Sequence, residues 1–167
     1  MAYTNVFKKP TLTLALTASL IAGFEGYRGY VYLDPVGIPT ACFGATRDAS
    51  GRRYTADQLG DEVPRHECEK LLIDDVYRYQ GIVFKYTKKE LTPNQIMALT
   101  SFVYNVGEGA YRDSTLLCKI NSGYPVGQAC KEELPRWNKA TTPFGNKVVL
   151  PGLTKRRAEE AEICSTP

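Results

Sequence analysis

The sequence predicts an α+β fold, with a small β hairpin near the N-terminus followed by a run of helices. Three observations carry this. Residues 27–45 are rich in aromatic and β-branched side chains around a Pro35-Val36-Gly37 turn, as a short hairpin requires. From Pro64 onward, apolar residues recur at the 3.6-residue period of a helix instead. No Gly-, Ser- or Pro-rich linker divides the 167 residues, so the two regions read as lobes of one domain.

The first element runs from Pro10 to Phe24, PTLTLALTASLIAGF, without a single charge. Two readings stay open for it. Leu12, Leu16 and Leu20, with Ala15, Ile21 and Ala22, suit a first helix packed against a core. Lys8 and Lys9 before the apolar run also give it the look of a weak export or anchoring segment. It is shorter than the roughly 20 residues a membrane span needs. The strands follow at Tyr27–Asp34 and Ile38–Ala45, with a polar turn around Asp48-Ala49-Ser50-Gly51.

Pro64 then opens a long helix carrying Cys68, Leu71, Leu72, Val76, Tyr79 and Val83 on one stripe, expected to run past Gly81 and link the lobes. Thr92-Pro93-Asn94-Gln95 is a capping-box start, with Ile96, Leu99, Phe102, Val103 and Val106 as one buried face ending at Gly107. Ser114 caps a shorter helix, Thr115 to Asn121, stopped at Gly123. Two further helices are expected near Val126–Trp137 and Thr154–Cys164. The boundaries are residues 1–62 for the N-terminal helix and β lobe, 63–90 for the connecting helix and 91–167 for the helical lobe.

The net charge of +3 comes without a dense Lys/Arg stripe, which argues against nucleic acid as a partner. An anionic polymer such as a bacterial wall would suit the balance, as it would suit many proteins. Cys42, Cys68, Cys118, Cys130 and Cys164 are widely spaced and His66 is the lone histidine, so neither a metal site nor a cofactor is expected. Disulfides in an oxidising compartment, with one cysteine left over and the pairing open, fit better than the alternative of buried free thiols in a cytosolic protein.

Among the acids, Glu25 and Asp34 stand out by context. Glu25 ends the uncharged segment, just before Gly26, where a helix would stop. Poor solvation and the negative end of the helix dipole both disfavour a charged carboxylate there, which is what a proton donor needs. Asp34 sits at the hairpin turn, where water and backbone donors keep it ionised. Two carboxyls in such contrasting surroundings are the arrangement glycoside hydrolysis uses, and equally a helix-end Glu and a turn-forming Asp with no joint role.

Glu25, Asp34 and Thr40, spaced E-x8-D-x5-T, resemble the signature of the phage-type lysozymes, glycoside hydrolase family 24. LIAGFEGYRGYVYLD (Leu20 to Asp34) is similar to that family's first helix and strand, and LLIDDV (Leu71 to Val76) to its inter-lobe helix. SFVYNVG (Ser101 to Gly107) resembles its central-helix motif, and STLL (Ser114 to Leu117) and GLTKRRAEEAEIC (Gly152 to Cys164) its later helices. The resemblance spans nearly the whole chain in the family's order. It implies a lysozyme-like fold and hydrolysis of the β-1,4 bond between N-acetylmuramic acid and N-acetylglucosamine in peptidoglycan, for host lysis.

In that reading Glu25 protonates the glycosidic oxygen, Asp34 stabilises the oxocarbenium-like centre and Thr40 helps hold the attacking water. The family implies inversion with water as the nucleophile. Arg157, in preference to Arg156, matches the arginine near the acid and supports it; a solvated helix face beside Glu159 and Glu160 is the plain alternative for that pair. Tyr32, Phe102 and Asn105 line the substrate cleft by family position, with Asn105 as a partner for an N-acetyl group. Phe102 and Tyr104 cannot share a helix face, so one of them is core.

Ala45 departs from the pattern, standing where relatives carry a histidine, so the resemblance supplies no such partner for Asp75. A Cys42–Cys68 bond is the candidate brace for that region, with Cys130–Cys164 second and Cys118 left free. The alternatives to a lysozyme are a lytic transglycosylase, against which Asp34 and Thr40 argue, and a wall-binding protein that has lost catalysis. The expected setting is synthesis in the host cytoplasm and action in the periplasm. The chain is expected to be a monomer that meets the membrane only through its N-terminal segment, which is retained.

Overall fold

The computed structural model describes residues 10–35, 37–141 and 145–167; the basic pair Lys8–Lys9 and Val36 of the hairpin turn lie outside them. Leu14–Tyr77 forms one compact unit, and Arg78–Pro167, with residues 10–13, forms the other. The fold is α+β, built from helices and two small antiparallel hairpins.

The smaller unit begins within helix α1 (Pro10–Glu25). Among the described side chains of α1, a narrow stripe, Thr17, Ala18 and Ile21, is buried. Leu12 and Leu16, expected in the core, are 69% and 51% exposed. Before Glu25 the helix carries no charged face to fix its orientation, and Thr17, Ala18 and Ile21 take the inner side. Gly26, at φ +73, stops the helix, its N–H reaching the Ala22 carbonyl at 3.1 Å.

Strands β1 (Arg28–Leu33) and β2 (Pro39–Cys42) pair antiparallel, Tyr32 opposite Thr40 and Arg28 opposite Cys42, with a bulge between. Val31, Thr40, Ala41, Cys42 and Phe43 face inward. Helix α2 (Arg65–Tyr86) starts beside Pro64 and runs past Gly81, as expected, beginning in this unit and ending in the other.

The larger unit holds α3 (Pro93–Val106), α4 (Glu108–Arg112), α5 (Thr115–Asn121), α6 (Val126–Glu133) and α7 (Pro151–Ser165). The start of α3 is the capping box read from the sequence. Thr92 Oγ1 accepts from the Gln95 N–H at 3.3 Å, and Gln95 Oε1 accepts from the Thr92 N–H at 3.0 Å. Ser114 caps α5 through the Leu117 N–H at 3.1 Å.

Helix α7 packs against both α3 and α6, around a core that includes Leu99, Phe102, Tyr111, Leu116 and Leu134. The segment expected to be helical to Trp137 tightens into a 3₁₀ turn at Leu134–Arg136. A second hairpin, β3 (Lys139–Thr141) and β4 (Lys147–Val149), and the short α4 were not anticipated. Cys42 bonds to Cys68 within the smaller unit and Cys130 to Cys164 within the larger, leaving Cys118 free and exposed.

Candidate active site

Glu25 is the last residue of α1 and is half-buried. Its carboxylate rests against the loop that closes β2. Ala41 and Ala45 exchange backbone hydrogen bonds at 2.8 and 2.9 Å, pinching residues 42–44 into a tight turn. Such a turn needs positive φ at two places. Gly44 supplies it at +90° and Cys42, unusually for a residue with a Cβ, at +62°.

A Cβ built on Gly44 would lie 3.7 Å from Glu25 Oε2, so the bare backbone here forms one wall around the acid. The turn is braced from two sides. Cys42 is tied to Cys68 on α2, and the Phe43 ring packs on Tyr27 at 5.4 Å. Ala45, where a histidine is expected, is buried in this turn.

Asp34 ends β1. Its backbone N–H donates to the Ile38 carbonyl at 3.0 Å, and its Oδ1 accepts from the Ile38 N–H at 2.8 Å, which fixes the carboxylate across the hairpin turn. Thr40 is 3% exposed, and its hydroxyl donates to the Ile38 carbonyl at 2.9 Å. With that proton committed, the Thr40 oxygen faces other groups as an acceptor.

Tyr32 connects these groups. Burial pushes its hydroxyl above the ordinary tyrosine range; Arg28 opposes the rise, and the Glu25 and Asp34 carboxylates add to it. In the strand register, Tyr32 lies opposite Thr40. Arg28 stacks its guanidinium 4.2 Å from the centre of the Tyr32 ring. The smaller unit thus gathers Glu25, Asp34, Thr40 and Tyr32. Arg28 and Gly44 were missed, although the period-two alternation of β1 puts Arg28 and Tyr32 on one face.

The remaining predicted residues belong to the larger unit. Arg157 is fully buried, not part of a solvated helix face. Its Nη1 donates to Glu160 Oε2 at 2.6 Å, its Nη2 donates to Asn105 Oδ1, and its guanidinium lies 5.0 Å from the Phe102 ring centre. Arg156 is buried beside it, with Nε 3.1 Å from Glu160 Oε1.

Phe102 corrects the reading by family position. It is 0% exposed and wedged edge-on between Tyr111 and Trp137, so it is a core residue. Tyr104 is half-buried against Tyr79, and Asn105 is exposed. Among the described residues, no three His, Cys, Asp or Glu side chains converge as a metal site.

The chain is similar to known proteins along most of its length. The family described as phage lysozyme matches residues 22–160. A protein named SAR-endolysin from Pseudomonas phage phiKMV is 35% identical over 161 residues, covering 95% of this chain and 93% of that one. An endolysin structure from Escherichia coli O157:H7 phage FAHEc1 superposes with a TM-score of 0.78 at 35% identity, covering 88% of this chain and 89% of that one. The muramidase domain of SpmX from Asticaccaulis excentricus gives 0.75 at 29% identity, covering 91% and 96%. With matches of this extent, the chain belongs to the phage lysozyme family.

Proposed function

We propose that this chain is an endolysin that hydrolyses the β-1,4 bond between N-acetylmuramic acid and N-acetylglucosamine in bacterial peptidoglycan. One observation carries the assignment of its site: the turn whose Gly44 walls Glu25 closes the strand β2, whose Thr40 pairs with Tyr32 beside the turn that holds Asp34. Glu25, at the negative end of α1 and walled by Gly44, protonates the leaving oxygen. Asp34, held by the Ile38 N–H, is the carboxylate that stabilises the positive charge developing on the sugar. Thr40, its proton given to the Ile38 carbonyl, accepts a hydrogen bond from the attacking water and orients it. Tyr32 and Asn105 contact the substrate, and Arg157 keeps the supporting role that the resemblance assigns it. The reaction needs no cofactor, and the enzyme acts as a monomer.

The place of action is the periplasmic wall. The proposed route is through α1, which is uncharged along its first 15 residues and leaves Leu12 and Leu16 exposed, as a weak export or anchoring segment does. No helix among the described residues is long and apolar enough to cross a membrane. Because α1 ends in Glu25, it is retained; a periplasmic product whose intact mass begins near Ser19 would refute retention.

Mass spectrometry of the muropeptides released from purified walls tests the chemistry. Hydrated reducing ends are expected. Anhydromuramic ends would make the enzyme a lytic transglycosylase, and wall binding without any release would make it a binding protein.

A further inference from the structure

Gly29 stands between Arg28 and Tyr30 in β1, a strand otherwise made of large side chains. A glycine weakens a strand, and the φ of Gly29 does not lie in the left-handed region that would call for one. Its reason is space. A Cβ built on Gly29 would lie 2.7 Å from Tyr27 Oη and 3.2 Å from Tyr27 Cζ, so the tyrosine ring fills the volume of the missing side chain. The backbone is pinned beneath the ring: the Gly29 carbonyl accepts from the Val63 N–H at 2.9 Å, and the Val31 N–H donates to the Asp61 carbonyl at 2.9 Å.

From that place the Tyr27 ring meets Phe43, with 5.4 Å between ring centres, and carries the Arg65 guanidinium 5.3 Å from its own centre. Arg65 opens α2, less than one turn before Cys68, whose disulfide holds Cys42. Phe43 is buried and directly precedes Gly44, the wall of the acid. Residues 42–44 include two positive φ values, a conformation that persists where its surroundings hold it. The disulfide holds Cys42 and the Tyr27 ring holds Phe43. Gly44 has no side chain to pack, so its distance from Glu25 follows from these neighbours.

We infer that Tyr27 is a positioning residue for Glu25, holding through Phe43 the turn that walls the acid, and that Gly29 is a glycine because this ring needs its space. The inference rests on the role of Glu25 as the acid proposed above. Tyr27 acts on the reacting group and not on the bound sugar, so its loss belongs in kcat and leaves KM alone.

The test is a set of five variants, compared by steady-state release of reducing ends from soluble glycan strands, well below every Tm. Gly29→Ala forces the end of the Tyr27 ring away by about 0.7 Å to restore an ordinary 3.4 Å contact. Its kcat should fall about tenfold with KM within about twofold, and its Tm should stay within about 4 °C, since alanine suits a strand better than glycine. Tyr27→Phe keeps the ring and should match the wild type. In that background the nearest ring atom is Cζ, at 3.2 Å, so Gly29→Ala should lower kcat by no more than about twofold. Tyr27→Ala should lower kcat about tenfold, and adding Gly29→Ala should then cost nothing more.

Rescue of Gly29→Ala by Tyr27→Phe is the outcome that a general loosening of the strand would not produce. If Tyr27→Ala does not melt cooperatively, the Tyr27→Phe pair carries the test alone. A Gly29→Ala enzyme with wild-type kcat overturns the positioning role, because the turn then does not depend on where the ring lies. An equal loss from Gly29→Ala with and without Tyr27→Phe overturns it too, because the alanine then acts through the backbone. A loss that appears in KM and spares kcat also overturns it, making Tyr27 a substrate contact. A wild-type enzyme that releases no reducing ends overturns the proposed function itself, and this inference with it.

Discussion

Cys42→Ala/Cys68→Ala and Cys130→Ala/Cys164→Ala remove the two disulfides in turn. The bridges close loops of 26 and 34 residues. In the chain-entropy account these loops are worth about 3.5 and about 3.8 kcal/mol, a difference of no more than about 0.3 kcal/mol. All four cysteines are buried, so the alanine pairs leave similar small gaps. Alanine also keeps a Cβ at position 42, so the positive φ there is equally strained before and after. Each double variant should melt lower by roughly 7–15 °C.

Activity separates them. The Cys42 bridge anchors the turn whose Gly44 wall sits 3.7 Å, measured from a built Cβ, from Glu25 Oε2, whereas the Cys130 bridge joins α6 to α7 in the other unit. A displacement of about 1 Å at a reacting group can cost about 10²-fold in rate. Turbidity loss of purified walls, measured well below both melting temperatures, should fall at least about tenfold for the Cys42/Cys68 variant. It should stay within about twofold for the Cys130/Cys164 variant. Equal specific activities would refute the idea that the bridge holds the wall of the acid.

Glu133 is 1% exposed, and hydrogen bonds from Lys119 and Thr115 hold its carboxyl below the usual range. A depressed pKa contributes stability above the ordinary value of 4.5 that is lost as pH falls through the lower folded value. Glu133→Gln should therefore destabilise at neutral pH and approach the wild type in acid; a stability difference independent of pH in denaturant melts would contradict this. Gly44→Ala should lose about 1–2 kcal/mol from its positive φ alone, since the added methyl fits beside Glu25; wild-type stability in urea would count against the strained turn. Phe102→Ala should lose about 3–5 kcal/mol as a core truncation. A variant of normal stability with a raised KM would return Phe102 to the substrate surface.

Local chemistry was the most legible part of the sequence. The capping box at Thr92 and the Ser114 cap depend on side chains within three residues of one another, so they can be read without the rest of the chain. The 3.6-residue stripes of α2 and α3 were equally plain, and the stripe of α3 rightly put Phe102 in the core when family position put it in the cleft. Helix α1 was harder, because an uncharged segment has no polar side to say which residues turn inward. The five residues of α4 and the three-residue strands β3 and β4 are too short to display any period.

The site divides in the same way. Glu25, Asp34 and Thr40 are marked by spacing, which the family resemblance makes meaningful. Gly44 matters through a contact across the turn that no local pattern announces, whereas the Arg28–Tyr32 stack lies within β1 and follows its alternation. The Arg156–Arg157 pair was open to reading as a solvated face beside Glu159 and Glu160, because neighbouring acids and bases on a helix usually are one. Only packing of α7 on α3 turns that pair inward.

Glu25→Gln removes the proton donor while keeping the size of the side chain. A general acid contributes about 10²–10⁴-fold, so the initial rate of wall lysis should fall by at least about 10²-fold with an unchanged melting temperature. Full lytic activity in a folded Glu25→Gln protein would contradict the assignment of Glu25 as the acid.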